Sequence, residues 1–365
     1  MTAFVIAARR TAVMPRGGAF RDLDLHELAA PVIRACLADA QIDAGRVDEL
    51  IVSNALGAGG NPARLAALAA GLPDHVAGLS IDRQCAGGLD AIRLAQAMVA
   101  SGQAQVVVAG GAESFSRRPL RLRPGRDSAP PEPYDQPAFT PWPHRDPDMT
   151  VAAAAVALRL GITRAAQSDW AVASHARAIQ AGDRMAREIA ALPQGSRDLF
   201  TRNLTAAIAA RAPVLSGSVT TATTAVAADA AAFVIVVSPD IARTAVRAFR
   251  IVSAVTLGAQ PDDPALAAVP AIARALALAG LRPQDMAQVE LMEAYAAQAI
   301  ACMQGAGLVP AQINPGGGAL ARGHPIGASG AILATRLFHD LHPGQYGLAA
   351  IAAAGGIGSA IILQG

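Results

Sequence analysis

Short apolar runs alternate with stretches of helical periodicity along the first part of the chain. In residues 25–38 and 89–100, apolar side chains recur every three or four positions, as they do on one face of a helix. Between such stretches lie short runs rich in Val, Ile and Ala, which are typical of buried strands. This alternation predicts an α/β fold with a largely parallel sheet. The predicted strands are 3–8, 47–55, 76–82 and 105–109, the last closed by a turn at 110–114, and the predicted helices are 25–38, 62–70 and 89–100.

The alternation returns in the C-terminal part, after a middle segment of different character. Residues 115–149 are rich in Pro and Arg and predict a long loop, in which the Arg residues between 117 and 126 could hold phosphates or form a solvated surface. Helices are predicted at 151–160 and 165–191. Further on, the predicted strands are 250–255, 288–292, 347–354 and 359–363, and the predicted helices are 264–279, 294–304 and 329–339.

The two ends of the chain follow one plan. In each, a Gly-containing turn precedes a helix, and a strand that ends in two glycines follows it. The corresponding segments are 85–88 with 108–111, and 327–330 with 353–356. A duplicated α/β unit with an inserted loop domain explains both this pattern and the length of the chain. We therefore predict an N-terminal half at 1–114, an inserted loop domain at 115–245 and a C-terminal half at 246–365.

Composition narrows the class of protein. Apolar residues make up 53% of the 365 positions and charged residues 16%, with a net charge of +2. A large core is available, and the basic footprint of a nucleic-acid-binding protein is missing. Three cysteines provide no disulfide framework and fit a reducing compartment. The N-terminal apolar run is too short for a signal peptide, and glycines interrupt the run at 348–363. We therefore expect a cytoplasmic protein without a membrane span.

Cys85 is the first candidate for chemistry. It stands directly before Ala86, Gly87, Gly88 and an apolar helix. Glycines allow another backbone or a ligand to approach closely, and the helix N-terminus favours the thiolate. A thiolate there is a candidate nucleophile, although a free Cys is often just a small buried apolar residue. That second interpretation applies to the other two cysteines, Cys36 and Cys302, which lie on apolar helix faces.

His324 is the second candidate. It stands between Gly323 and Pro325, just before a helix start rich in Gly and Ser. Paired cysteine and histidine side chains form activated nucleophiles, so His324 could be the base for Cys85, although an isolated His is often structural. If the two halves are related by duplication, His324 would face Cys85 across a pseudo-twofold axis.

Both candidates lie in motifs that resemble those of the thiolase family. The run Gly-His-Pro-Ile-Gly-Ala-Ser-Gly at 323–330 is specific, and the matching stretches follow the family order over the whole chain. These stretches are 83–91, 110–114, 293–298, 314–330 and 355–358.

The resemblance implies a five-layered αβαβα fold, with two related mixed sheets, a buried helix layer between them and a loop domain over the site. It implies that an acyl-CoA or a carrier-bound thioester acylates Cys85, with His324 activating the sulfur. It also implies a homodimer, often paired into tetramers. We expect no permanently bound cofactor and no metal, with the coenzyme A thioester acting as a substrate. Partners in this interpretation are the thioester, a second copy of the chain and, in one alternative, an accessory subunit, but neither nucleic acid nor membrane.

The same resemblance suggests five residues that contact the thioester substrate. Met149 and Ala225 would line the CoA arm, Arg211 would lie near its adenine end, and Gly355 and Gly356 would form the last Gly-rich turn.

The sequence departs from the family pattern at several of its functional positions. The second family cysteine, which removes an α-proton, is replaced by Ala352, and a methyl group cannot take a proton. The Asn that precedes Glu-Ala-Phe in the family is Met292, and the His beside Met149 is Asp148. In the family a polar run follows that His, but this chain has four alanines at 152–155. The family's Ser/Gly-rich turn, which lines the CoA arm, corresponds to residues 223–231, where this chain has a different sequence.

Three hypotheses follow. The first is a thiolase-type acyltransferase that keeps acyl-Cys85 and passes the acyl group to an acceptor needing no α-deprotonation. An electron-rich carbon, an amine or a malonyl-type unit would qualify, and ordinary thiolysis and condensation would be weakened. The second is a conventional acetyl-CoA acetyltransferase or 3-ketoacyl-CoA thiolase in which His144 or Asp148 replaces the missing Cys. The third is a non-catalytic thioester-binding subunit that acts beside another thiolase-like protein or a small Zn-binding partner.

Overall fold

The computed structural model describes residues 2–57 and 59–365, and the predicted alternation of strands and helices is present in the first part of the chain. The strands there are β1 (Phe4–Arg10), β2 (Met14–Pro15), β3 (Glu49–Ser53), β4 (Leu79–Ile81) and β5 (Val106–Glu113), and the helices are α1 (Leu25–Ala40), α2 (Pro62–Ala70) and α3 (Gly87–Ala100). The ends of these helices have local causes. Asp24 and Glu27 form a capping box at the start of α1, and Gly71 caps the end of α2 in a left-handed conformation.

The middle segment is dominated by two helices. Thr163 caps the longer of them, where its side chain accepts a hydrogen bond from the N–H of Ala166. The elements of this segment are β6 (Leu122–Arg123), β7 (Glu132–Pro133), α4 (Met149–Arg159), α5 (Arg164–Ala186), α6 (Ala206–Ala210), β8 (Val214–Ser216) and β9 (Val219–Thr220).

The last part of the chain contributes the remaining strands of the main sheet. This last part comprises β10 (Ala228–Val237), α7 (Pro239–Ala242), β11 (Phe249–Gly258), α8 (Ala268–Ala279), β12 (Met286–Leu291), α9 (Ala296–Gly305), α10 (Ala319–Arg322), α11 (Ile326–Asp340), β13 (Tyr346–Ala353) and β14 (Ile357–Gln364).

The sheet shows the predicted duplication directly. Its strand order is β12-β13-β14-β11-β1-β10-β5-β3-β4, with β2 paired to β10. Starting from β1, the pairings of the first half run antiparallel, antiparallel, parallel, parallel. The second half starts from β11 and repeats this sequence, with a single bridge at Ile313 in the place of β4. The two half-sheets meet edge to edge, where Phe4 and Val5 of β1 pair with β11.

Three apolar cores give the five-layered order of the fold. Along β10, Phe233 and Ile235 pack against α1 and α2, whereas Val234 and Val236 pack in the central core with α3 and α11. Along β13, Ile351 lies in that central core, and Ala350 packs on the opposite side with α8 and α9. Because successive strand residues point to opposite faces, the two half-sheets are covered on both sides.

The two central helices cross at a pair of glycines. A Cβ atom at Gly88 of α3 would lie 2.5 Å from the backbone nitrogen of Ala331, and one at Gly330 of α11 would lie 2.5 Å from that of Leu89. The backbones therefore approach closely at equivalent points of the two halves, which only residues without a side chain permit. This contact brings the N-termini of α3 and α11, and with them Cys85 and His324, into one region.

Most of the predicted elements are present, but some differ in extent and others were not predicted. Strand β5 does not end in a turn at 110 but continues through Glu113, and α5 ends at Ala186 rather than at 191. Strand β10 was missed: it lies in the segment assigned to the loop domain but pairs with β1 and β5 in the middle of the sheet. In the loop at 115–149, β6 and β7 pair only with each other.

The apolar C-terminal run forms the two predicted strands around a glycine turn, β13 and β14. Among the described residues, no single helix is both long and apolar enough to cross a membrane; only α4 and α5, taken together with a bend of 117° between them, pass on length and composition.

Candidate active site

Cys85 lies in a tight turn between β4 and α3. The turn is a single 3-10 segment, Gln84–Ala86, in which Gln84 has a φ of 50°. The side chain of Asp82 accepts a hydrogen bond from the N–H of Gln84 at 2.8 Å and so supports this left-handed residue. A non-glycine residue with positive φ is uncommon and concentrates at functional sites. The turn carries the chain from the sheet into α3 with Cys85 at its centre.

His324 is fixed by its main chain. Its N–H donates a hydrogen bond to the carbonyl of Val226 at 2.7 Å, just before β10. The preceding Gly323 has a φ of 114°, a conformation that a residue with a side chain rarely adopts. Pro325 then leads into α11.

The two candidate side chains meet. Nε2 of His324 lies 3.1 Å from Sγ of Cys85, and Nδ1 lies 2.7 Å from Oγ of Ser329. Ser329 donates its only hydroxyl proton to the carbonyl of Pro325 at 3.0 Å, so Oγ must accept from Nδ1. The proton of the neutral imidazole is therefore on Nδ1, and the lone pair of Nε2 faces the sulfur. This is the arrangement of a base beside its nucleophile.

Desolvation controls the charge of both groups. Although Cys85 is partly open to a cavity, the surrounding protein raises the pKa of its thiol to about 12. Burial likewise lowers the pKa of the His324 imidazole to about 4. At neutral pH the pair is a neutral thiol and a neutral imidazole. Desolvation therefore opposes the resting thiolate that the helix N-terminus favours.

The main chain around the sulfur supplies hydrogen-bond donors. The backbone N–H groups of Cys85 and Ala354 are directed at Sγ, where they counteract the rise in the thiol pKa. Ala354 opens the turn between β13 and β14, in which Gly355 and Gly356 have φ angles of 74° and 72°. Two donors converging here can hold the negative oxygen that forms when a thioester is attacked.

A cavity of about 210 Å³ opens onto the sulfur. Its wall is mostly apolar, with Cys85, His324 and Tyr295 as the titratable side chains among the described lining residues. The remaining lining residues are Gln84, Gln136, Phe139, Met149, Ala152, Ala153, Pro264, Ala265, Ala294, Gln298, Ile326, Ala352, Ala353 and Ala354. A mostly apolar cleft with a few convergent polar groups is typical of a small-molecule site.

Of the five residues predicted to contact the thioester, one lines this cavity, namely Met149. Ala225 lies behind the wall, where its N–H donates to the carbonyl of Ala294. Gly355 and Gly356 shape the turn that carries Ala354, and a Cβ at Gly355 would lie 3.1 Å from the carbonyl oxygen of Phe139. Arg211 is exposed at the end of α6. The cavity does not bring these last four residues together, and a role for them in binding CoA stays a prediction.

The residues proposed to replace the family cysteine, His144 and Asp148, lie just before the first residue of α4. His144 is exposed in a short 3-10 segment, and Asp148 caps α4 by accepting hydrogen bonds from the N–H groups of Thr150 and Val151. Neither is among the described residues that line the cavity, whereas Ala352 is. Met292 is buried in the central core.

Sequence reasoning missed four contributors to the site. Ser329 lies within the specific motif, but its role depends on where its hydroxyl proton goes. Tyr295 stands where the family motif has Phe, which was a readable signal. The N–H of Ala354 could not be identified from the sequence, because every residue except proline supplies a backbone N–H. Glu113 was assigned to a turn, but it is buried at the end of β5.

Glu113 ties three parts of the site together. It accepts hydrogen bonds from the side chain of Asn54, from the N–H groups of Ala55 and Leu56, and from the N–H of Gly327 in the first turn of α11. Burial raises its pKa to about 7, although these donors favour the ionised form. The carboxylate therefore anchors the helix that carries Ser329 to the end of β5.

Comparison with known proteins identifies the family of the chain. Residues 3–240 match the family model described as the thiolase N-terminal domain, and residues 246–365 match the thiolase C-terminal domain. YhfS of Bacillus subtilis (strain 168), which is named as an acetyl-CoA C-acetyltransferase, is 38% identical over 100% of this chain and 99% of its own length. VraB of Staphylococcus aureus (strain MRSA252), with the same kind of name, is 33% identical over 99% of this chain and 98% of its own.

Solved structures show the same fold over the full length. The acetyl-CoA acetyltransferase of Bacillus anthracis superimposes with a TM-score of 0.92 and 31% identity, covering 99% of this chain and 98% of that one. Human mitochondrial 3-ketoacyl-CoA thiolase, solved in complex with CoA, gives a TM-score of 0.91 with 29% identity over 100% of this chain and 98% of that one. The fold, the family models and these relatives together establish that the chain belongs to the thiolase family of acyltransferases.

Proposed function

We propose that this protein forms an acyl-enzyme on Cys85 from a coenzyme A thioester and transfers the acyl group to a second substrate. The observation that carries the proposal is the 3.1 Å contact between His324 Nε2 and Cys85 Sγ at the mouth of the cavity. The relatives named as acetyl-CoA acetyltransferases, and the CoA complex of the human thiolase, support the choice of CoA thioester as the donor.

The geometry supports a stepwise acylation. Nε2 of His324 takes the thiol proton as sulfur attacks the thioester carbonyl, since neither group is charged beforehand. The negative oxygen of the intermediate accepts hydrogen bonds from the N–H groups of Cys85 and Ala354. When the intermediate collapses, the bond to the CoA sulfur breaks, and the leaving thiolate takes the proton from Nε2. A neutral imidazole is regenerated beside acyl-Cys85.

Conventional thiolysis and condensation form the second candidate, favoured by the names of the relatives. That chemistry needs a base for an α-proton, and the position of the family cysteine holds Ala352. Because His144 and Asp148 lie outside the cavity lining, we propose that this activity is weak. Loss of a general base typically slows a reaction by about 10²–10⁴-fold.

The first experiment is an intact-mass measurement. Wild type and Cys85→Ala are incubated with acetyl-CoA and longer acyl-CoAs, and we expect the mass of the acyl group on wild type alone. An adduct of equal size on Cys85→Ala would contradict the proposal, as would an unmodified wild type that folds normally by circular dichroism. Cys36→Ala is the matched control, because Cys36 is buried away from the cavity and should leave the adduct unchanged.

We also propose that the protein forms a homodimer through α2 and β4. Leu65 and Leu68 of α2 are 51% and 47% exposed, and Leu79 on β4, the edge strand of the sheet, is 41% exposed. Exposed apolar side chains beside an open strand edge are typical of an interface. Light scattering should report a dimer for wild type and a monomer for Leu68→Asp. Leu278→Asp, at an exposed position on α8, should remain dimeric.

A further inference from the structure

Tyr295 has no part in the acylation step, yet it lines the same cavity as Cys85 and His324. It is the N-cap residue of α9 and has an extended backbone, with φ −138° and ψ 144°. A bridge between its main chain and that of Thr224 holds it in place. The other titratable side chains among the described lining residues are Cys85 and His324, which are the proposed nucleophile and its base.

The phenol of Tyr295 is oriented by a residue of α4 that is not itself among the described residues lining the cavity. Its Oη lies 3.1 Å from Oγ1 of Thr150, in the first turn of α4. Either hydroxyl of this pair can be the donor, and when Thr150 donates to the phenol, the phenolic proton is free for a substrate atom. Burial raises the pKa of Tyr295 above its ordinary value, with a smaller contribution from Asp148. The group is thus a hydrogen-bond donor at neutral pH and not a base.

The bases available beside this donor restrict the acceptor. Ala352 presents a methyl group where the family cysteine would stand, the described wall holds no carboxylate, and its one base, His324, serves Cys85. A carbon acceptor that acquires its electron pair without losing a proton to this wall therefore suits the site. A carbonyl compound that loses CO2 does so, because the electron pair of the broken carbon–carbon bond stays on its α-carbon.

The apolar wall favours the same step. Phe139, Met149 and Pro264 line the cavity, and an ionised carboxylate beside such side chains is poorly solvated. Conversion of that carboxylate to neutral CO2 removes the unsolvated charge. The charge moves to the carbonyl oxygen of the acceptor, which requires a donor.

We propose that Tyr295 Oη donates a hydrogen bond to the carbonyl oxygen of a malonyl-type thioester and stabilises its enolate during acyl transfer from Cys85. This inference rests on the proposed acyl-enzyme. The bond to the carboxylate carbon breaks and CO2 leaves. The α-carbon then forms a bond to the acyl carbon, and the bond from that carbon to Cys85 Sγ breaks, which returns the electron pair to sulfur. The thiolate regains its proton from solvent through His324, and Tyr295 keeps its own throughout.

The test separates the two half-reactions. Wild type, Tyr295→Phe and Tyr134→Phe are acylated with acetyl-CoA, desalted rapidly, and chased with malonyl-CoA or with CoA. Loss of the adduct and formation of acetoacetyl-CoA are followed by mass spectrometry. Tyr134 directly follows β7, and the guanidinium of Arg123 lies over its ring. Tyr134→Phe is the matched control, because it also removes a phenol hydroxyl but away from the cavity.

With malonyl-CoA, we expect Tyr295→Phe to form acetoacetyl-CoA about 100-fold more slowly than wild type, the usual effect of losing one oxyanion donor. Its acylation by acetyl-CoA, and its discharge by CoA, should match those of wild type, because a thiol acceptor forms no enolate. Tyr134→Phe should match wild type in all three reactions.

Three results would overturn the inference while leaving the proposed function intact. The first is a wild-type acetyl-enzyme that malonyl-CoA does not convert to acetoacetyl-CoA. The second is an equal rate of acetoacetyl-CoA formation from malonyl-CoA by Tyr295→Phe and wild type. The third is equal slowing of the discharge by malonyl-CoA and by CoA in Tyr295→Phe, which indicates a structural role. The absence of any adduct on wild-type Cys85 would instead overturn the proposed function itself.

Discussion

Ser329 orients His324: Oγ of Ser329 lies 2.7 Å from Nδ1 of the imidazole and accepts a hydrogen bond from it, while its own hydroxyl donates a hydrogen bond to the carbonyl of Pro325. The lone pair of Nε2 is thereby presented to Cys85. A single hydroxyl in the first turn of α11 thus selects the tautomer on which general-base catalysis depends.

Substitution Ser329→Ala should slow acylation of Cys85 about tenfold, since one hydrogen bond worth roughly 1.4 kcal/mol no longer holds the imidazole. The time course of adduct formation with acetyl-CoA measures the rate. Ser253→Ala, on β11, removes a buried hydrogen bond to the carbonyl of Ala275 on α8 and should acylate normally. Equal rates for the two variants would show that Ser329 does not orient the base.

The acylation rate should depend on pH through His324. Burial lowers the pKa of the imidazole to about 4, so the base form is present at all pH values above that. The rate should rise from pH 3 to a plateau near pH 5. Because burial raises the pKa of the Cys85 thiol to about 12, no second rise is expected below about pH 10. A midpoint near 6.5, with the fold intact by circular dichroism, would indicate a solvated imidazole instead.

Glu113 should make stability depend on pH. Its pKa is raised from 4.5 to about 7 in the folded protein, so the folded state binds more protons than the unfolded state between these values. The resulting stability is present in full below about pH 4.5 and is lost as pH rises through 7. Urea unfolding of wild type and Glu113→Gln at pH 5 and pH 8 isolates this group. The difference between the two proteins should change by about 2 kcal/mol, and a constant difference would contradict the raised pKa.

Restoring the family thiol should restore conventional chemistry. Ala352→Cys places a sulfur in the cavity wall, where it can take an α-proton, and should speed the cleavage of acetoacetyl-CoA by CoA about 100-fold. Consumption of acetoacetyl-CoA measures the gain. Ala350→Cys is the matched control, since this residue is two positions earlier on β13 and packs in the core with α8 and α9. No gain in Ala352→Cys, with Cys85 still acylated, would show that a further departure limits this chemistry.

The glycine crossing of α3 and α11 should be sensitive to a single methyl group. A Cβ at Gly88 would lie 2.5 Å from a backbone nitrogen, so Gly88→Ala should lower the free energy of unfolding by about 1–3 kcal/mol. Gly182→Ala in α5 has no atom within 4 Å of its Cβ and should stabilise the protein by up to about 1 kcal/mol. Urea unfolding compares the two. Equal stabilisation would mean that the central helices separate easily.

Local patterns were sufficient for most of the elements that carry the site. The helices beginning at Gly87 and Ile326 follow from apolar periodicity after glycines, and the motif around His324 identified the family. Strand β10 was missed although its second half, 233–237, is a run of Phe, Val and Ile typical of a buried strand; only its first half, 228–232, is mostly alanine and fits a helix or a strand equally. Its pairing with β1 and β5 decides the matter, and those partners are distant in sequence.

The sequence by itself determined the family and the duplicated α/β plan, and it predicted the nucleophile with its base and the replacement of the second family cysteine by Ala352. Only the tertiary structure shows how burial shifts the pKa values of Cys85 and His324, which tautomer the imidazole adopts, and which side chains share the cavity. The reason is physical: desolvation and hydrogen-bond partners depend on atoms contributed by β4, β10, α11 and the turn after β13, and no local pattern records how these segments pack together.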